Sequence, residues 1–369
     1  MSTMIACPGK YVQGPGEFSR LPAHLKRLGQ KAFVIISAGG VGRFGGMLKA
    51  QFDEAGFAFA FCEFGGECCY DEMERLSEKC RALKCDVIVG IGGGKIIDTA
   101  KGVAYYTKLP LAVCPTIAAT DAPCSSLSVV YTPAGVFEGF LFTSKNPELV
   151  LMDTEIIVKA PVRLFVAGIG DALSTYYEAR AVHVKNGKTP LRHRATEAAF
   201  GLGKLCKDII FADGLAAKLA VEKGLYTTAV ERVIEANTFM SGVGFESGGV
   251  AGAHAIYNGF TVYNEANAAY HGEKVAFGIL VQLVLEGAPT EDTKALADFC
   301  ISVGLPVTLA EIGIGEPDAD QLMKVAEVAA QKGSSIYNLA AEITPGIVFR
   351  AILAADALGK HYKQTAHNA

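Results

Sequence analysis

The sequence predicts two joined halves: an α/β half built on a parallel sheet, then an all-helical half. Three observations carry this. Short β-branched runs alternate with amphipathic stretches over the first 155 residues, no strand-like run follows Pro161, and the glycines gather at a few turns rather than repeating. A chain of 369 residues accommodates two domains, and the change of character divides it into 1–160 and 161–369.

In chain order, Ala32–Ile36 reads as a buried strand and Phe44–Ala55 as a helix. Phe57–Cys62 is a second strand and Asp71–Leu83 an amphipathic helix with Met73, Leu76, Cys80 and Leu83 on one side. Asp86–Ile91 is a third strand that runs into Gly92-Gly93-Gly94-Lys95; Ile96–Tyr106 is a helix and Leu111–Cys114 a fourth strand. Ser126–Thr132 and Val136–Thr143 alternate around Pro133-Ala134-Gly135, which predicts a hairpin attached to the sheet, and Glu148–Met152 is a last strand. Beyond Pro161, Leu164–Val182, Pro190–Leu205, Leu215–Lys223, Thr228–Gly242, Lys274–Glu286, Thr290–Val303, Ala319–Lys332 and Pro345–Leu358 all suit helices, the last opened by Thr344-Pro345.

Half of the residues are hydrophobic and a fifth charged, with a net charge of −4, so nothing points to a nucleic-acid partner. The apolar run Val275–Leu285 falls short of the roughly 20 residues that cross a bilayer. Met1–Lys10 lacks the pattern of a secretory signal, and the ten cysteines are scattered with no C-x-x-C pair. Reduced thiols in a cytoplasmic protein are the expectation.

Two glycine motifs compete for a phosphate group. Gly40-Val41-Gly42-Arg43-Phe44-Gly45 has the G-x-G-x-x-G form, follows the first strand and has Glu63 at the end of the next. Gly92-Gly93-Gly94-Lys95, between a buried strand and a helix, lets backbone N–H groups and a helix dipole converge on one anion, most simply a pyrophosphate. The second lacks the G-x-x-x-x-G-K-[ST] spacing of a nucleoside-triphosphate loop.

Among seven histidines, His254 and His271 stand out in small-residue surroundings that allow close approach. Asp171, in Gly168-Ile169-Gly170-Asp171-Ala172-Leu173, is a carboxylate beside apolar residues with no adjacent cation. A buried Asp is costly unless paired or metal-bound. Two imidazoles and one carboxylate would make a three-ligand site with open coordination, suited to zinc or Fe(II). Two hydrogen-bonded pocket histidines are the alternative.

These segments together, with Phe64-Gly65-Gly66-Glu67-Cys68, Pro115–Ser125, Ser241–Gly249 and His271–Gly278, resemble the iron-containing alcohol dehydrogenase-like superfamily and, within it, the bacterial glycerol dehydrogenases. The resemblance covers nearly the whole chain. It implies a Rossmann-like cofactor domain and a helical domain in a dehydroquinate synthase-like architecture, with the site in the cleft between. It implies zinc, or alternatively Fe(II), on Asp171, His254 and His271, the last two residue types being the metal's nitrogen donors. It implies NAD along Ser37, Gly93, Gly94, Lys95, Asp98, Thr116, Ser125, Leu127 and Tyr131. Asp121 would touch the substrate hydroxyls with His254, and Phe245 would line the pocket. A homo-oligomer, often an octamer, is also implied. Similar enzymes often carry Asp where this chain has Ser37, just after the first strand; losing that acid weakens discrimination against a 2′-phosphate.

The expected reaction is reversible oxidation of glycerol or a related vicinal diol to dihydroxyacetone, with the metal as Lewis acid and Asp121 orienting the polyol. The alternative on the same scaffold is an NAD(P)H-dependent hydroxycarboxylate or aldehyde reductase. More distant alternatives are a dehydroquinate synthase-like lyase and a non-catalytic nucleotide-sensing protein.

Overall fold

A computed structural model describes residues 2–367. Among the described residues eight strands form: β1 (Tyr11–Gly14), β2 (Lys31–Ile36), β3 (Ala58–Glu63), β4 (Val87–Gly92), β5 (Leu111–Pro115), β6 (Leu127–Tyr131), β7 (Phe137–Phe142) and β8 (Leu149–Asp153). Six of them make one parallel sheet in the order β1-β8-β5-β4-β2-β3. The helices of this half are α1 (Leu21–Leu25), α2 (Ala38–Glu54), α3 (Tyr70–Ala82), α4 (Gly94–Thr107) and α5 (Thr154–Ile157).

Strand β2 shows why the sheet is buried on both faces. Ala32, Val34 and Ile36 pack with Leu21, Leu25, Leu48 and Phe52, whereas Phe33 and Ile35 enter the core that runs on into the helical half. From β2 the chain moves to one side for β3 and then returns to the other side for β4. Such a reversal opens a crevice at the strands' carboxyl ends, between β2 and β4, where ligands of doubly wound sheets sit.

After β8, every regular element among the described residues is helical: α6 (Val162–Lys185), α7 (Glu197–Val221), α8 (Thr228–Glu235), α9 (Ser241–Gly248), α10 (Gly252–Phe260), α11 (His271–Leu285), α12 (Thr290–Val303), α13 (Ala319–Ala329) and α14 (Pro345–His367). One wide π turn, Ala236–Met240, joins α8 to α9. Helix α6 starts after Pro161, whose ring suits a helix start, and stops where Asn186 turns left-handed at φ 57°. No helix is long and apolar enough to cross a membrane among the described residues.

The structure corrects the sequence reading at four places. The hairpin β6–β7 is its own two-stranded sheet, because its backbone is tied to α4: Asp98 accepts from Val129 N–H and Ser128 donates to the Asp98 carbonyl. Pro190–Leu205 and Leu215–Lys223 are not two helices; α7 begins after its cap residue Thr196 and runs unbroken to Val221. Its Gly214 is no breaker, since a Cβ there would lie 2.8 Å from the Phe299 ring. Strand β1 and helix α10 were not expected at all. The first glycine motif forms no open loop: α2 starts at Ala38, so its glycines are helical.

Candidate metal centre and active site

Helix α6 carries Asp171 and Glu178, both fully buried and two turns apart on one face. Two glycines let other backbones reach that face. A Cβ on Gly168 would lie 2.0 Å from the Ala118 carbonyl oxygen, and one on Gly272 would lie 1.8 Å from that of Ala167. The first contact seats the loop after β5 on α6; the second seats the start of α11, and His271 with it, against Asp171.

His271 Nε2 is 3.1 Å from Asp171 Oδ1 and His254 Nε2 is 3.6 Å from the same oxygen. One ligand atom from each of these three residues lies within 4.8 Å of the others. The Asp171 side chain has no exposure, but His254 and His271 keep 17% and 29% of theirs, so the cluster opens on one side. Burial pushes the Asp171 carboxyl up, yet the imidazoles of His271 and His254 outweigh it and hold it below the usual carboxylate range. Burial depresses His254, but Glu178 and Asp171, facing it from both sides, raise it well above an ordinary histidine. Two buried carboxylates and two imidazoles, with no lysine or arginine paired to them among the described residues, are short of positive charge. That donor set fits a divalent cation.

Asp121 joins this cluster from the α/β half. Its N–H donates to Asp171 Oδ2 at 3.2 Å, and burial, then the charge of Asp171, raise its carboxyl well above the usual range. Phe245 is buried in α9. Tyr257, which the sequence reading passed over, sets its ring edge-on to His271 at 4.3 Å between centroids.

On the sheet side, α4 follows the glycine loop with no side-chain cap at Gly93, leaving first-turn N–H groups open to an anion. Lys95 is exposed there, 2.6 Å from Glu67 and 5.5 Å from the Tyr131 ring centre. Thr116 N–H donates to the Gly92 carbonyl, holding the loop after β5 beside this turn. Ser37 caps α2 by accepting from Gly40 N–H at 3.1 Å. Gly94 and Leu127 are partly exposed.

Two residues expected at the cofactor have their side chains turned inward. Asp98 is sealed against Lys101 Nζ at 3.1 Å and Val129 N–H at 3.0 Å, and Ser125, 1% exposed, accepts from Lys101 Nζ at 3.1 Å. The cause is Lys101, a buried lysine that also donates to the carbonyls of Ala122 and Leu127 at 2.5 and 2.6 Å. From the other side, Glu246 accepts from Ser126 N–H and from Asn146 Nδ2. The segment 121–127 is therefore pinned between Lys101 and Glu246. Lys101 stood in the glycine motif's own segment, three residues after Asp98, which was the signal that could have found it.

Residues 8–154 match the iron-containing alcohol dehydrogenase family. The glycerol dehydrogenase of Citrobacter freundii is 46% identical over 362 residues, spanning 98% of this chain and 99% of its own. The crystal structure of a probable glycerol dehydrogenase from Sinorhizobium meliloti is similar at a TM-score of 0.91 and 42% identity, covering 98% of this chain and all of its own. That of the Schizosaccharomyces pombe glycerol dehydrogenase is similar at a TM-score of 0.96 and 38% identity, covering 99% and 93%.

Proposed function

The chain belongs to the iron-containing alcohol dehydrogenase family, and from that premise we propose that it is a metal-dependent glycerol dehydrogenase, oxidising glycerol and related vicinal diols reversibly with NAD. The observation that carries this reading is the convergence of Asp171, His254 and His271 on one point beside Asp121, in a chain whose α4 starts uncapped after a glycine loop. The full-length relatives at 45–46% identity are glycerol dehydrogenases, above the 38% of a full-length glycolaldehyde reductase, so the hydroxycarboxylate or aldehyde reductase reading is not favoured.

In this proposal residues 1–160 hold the dinucleotide and 161–369 the metal. Asp171, His254 and His271 hold a zinc ion. The chemistry zinc supplies when bound is Lewis acidity, of the kind that takes the pKa of water from about 16 to about 7. NAD supplies the hydride acceptor. Gly93, Gly94 and Lys95 bind the pyrophosphate through backbone N–H groups and one ammonium, and Thr116, Leu127 and Tyr131 line the cofactor's path. Ser37, with no carboxylate, leaves NADP less strongly rejected than an acid there would. Asp121 orients the polyol by hydrogen bonding. Phe245 walls the pocket, keeping water from the reacting carbon. The mainly neutral, oxygen-rich demands of a diol suit this set.

Assembly into a homo-oligomer, an octamer in the fullest form of the proposal, fits the exposed apolar residues Leu205, Leu215 and Leu219 along α7. Ten unpaired cysteines, nine of them buried, suit a reducing cytoplasm. The experiment is elemental analysis of purified enzyme joined to an NADH absorbance assay with a substrate panel. Stoichiometric zinc with turnover of glycerol and 1,2-propanediol supports the proposal. Stoichiometric iron corrects the metal, and turnover confined to 2-oxo acids overturns the substrate.

A further inference from the structure

Helix α10 begins deep in the protein, where its first N–H groups have no water to bond. Four consecutive N–H groups are met by two side chains from other helices. Glu178 Oε1 accepts from Ala251 at 2.8 Å and from His254 at 2.9 Å; Gln282 Oε1 accepts from Gly252 and Ala253, each at 3.0 Å. Capping is thus shared between α6 and α11. The second oxygen of Glu178 does something Gln282 does not. Oε2 lies 2.6 Å from His254 Nδ1, while the opposite ring nitrogen, Nε2, faces Asp171.

We propose that Glu178 is a positioning residue for the metal: by accepting the Nδ1 proton of His254 it fixes the ring's tautomer and leaves the Nε2 lone pair aimed at the space shared with Asp171 and His271. This deepens the proposed function and rests on its metal assignment. A carboxylate offers acceptors only, so Nδ1 must be the donor, and Nε2 is the nitrogen left to give a lone pair to a metal. Three donors converge on Glu178, two from backbone and one from the ring. Glutamine cannot replace it, since its amide group brings one acceptor oxygen and a second donor face. Charge points the same way: Asp171 and Glu178 supply two negative charges to the site, matching one divalent cation.

The test measures zinc affinity by chelator competition on the full-length enzyme, stripped and reloaded, beside its thermal melting without metal. Four proteins are compared: the parent, Asp171→Asn, Glu178→Gln and Gln282→Met. Glu178→Gln is expected to bind zinc about 10–100-fold more weakly than the parent and, loaded with Co(II), to shift the visible absorption bands. Gln282→Met removes helix capping and the bonds of Nε2 to the Tyr177 carbonyl and Glu286, but no bond to a ligand side chain; it is expected to melt lower while keeping parental zinc affinity and parental cobalt bands. Equal loss of zinc affinity in both variants would mean that Glu178 merely caps α10, and parental affinity in a folded Glu178→Gln overturns the proposal outright. Should Glu178→Gln fail to fold, Glu178→Asp keeps the charge but draws the carboxylate back by one methylene; it too must bind zinc about tenfold more weakly, and parental affinity there is equally fatal. A parent that binds zinc no better than Asp171→Asn sinks the metal site itself, a result distinct from any of these.

Discussion

Replacing Lys101 with methionine tests how the α/β half holds the cleft's edge. The ammonium is 1% exposed and donates to Asp98, Ser125 and the carbonyls of Ala122 and Leu127. Methionine fills similar volume but leaves a buried carboxylate without its cation, a loss of about 3–5 kcal/mol for a broken buried pair. Asp98 has one escape. Burial already raises its carboxyl, with Lys101 the main opposing influence, so without the ammonium it takes up a proton and limits the damage. The double variant Lys101→Met/Asp98→Asn, with no charge to bury, should therefore recover part of the stability. Urea unfolding of the two singles and the double gives the coupling. Because three of the four acceptors lie in 122–127, the freed segment should also raise the KM for NAD by about tenfold, or about 1.4 kcal/mol. A Lys101→Met enzyme with parental urea midpoint and parental KM would refute this reasoning.

Three further outcomes are expected. Gly272→Ala places a Cβ 1.8 Å from one backbone oxygen and 3.0 Å from the Asp171 nitrogen, so α11 must back away from α6; the enzyme should lose zinc on dialysis and melt lower, while Gly46→Ala, which meets nothing within 4 Å in α2, should match or exceed the parent in thermal melts. Ser37→Asp should increase the ratio of kcat/KM for NAD over NADP, and an unchanged ratio would remove Ser37 from the adenosine site. Glu311 is pushed up by burial, but Lys363, Val307 N–H and Thr308 hold its carboxyl below the ordinary 4.5. Its depressed value contributes stability above pH 4.5 that is lost as pH falls through the folded value. Melting temperature should therefore drop more steeply in the parent than in Glu311→Gln once the pH passes below 4.5.

The central strands were legible because their runs are apolar on both faces, which only a sheet covered on both sides requires. Strand β1 was not, since four half-buried residues ending in glycine carry no period. Helix α10 escaped for a different reason: its sequence is rich in Gly and Asn, and its N-terminus is satisfied by Glu178 and Gln282, acceptors that lie 73 and 30 residues away from the N–H groups of Ala251 and Gly252. Among the site residues, Asp171, His254 and His271 showed themselves by their small, apolar neighbours. The inward turn of the Asp98 and Ser125 side chains did not, because it depends on where a buried lysine points. Glu178 had a spacing clue, seven residues after Asp171, but only the fold reveals that its partner is His254 rather than a cation.

The most direct test is an anomalous difference map, collected at the zinc edge from crystals of enzyme purified without added metal. The account predicts one strong peak about 2.0–2.2 Å from an Asp171 oxygen and from Nε2 of both His254 and His271. Absence of any peak between those three side chains in a crystal of active enzyme, or a peak held by other residues, would contradict it.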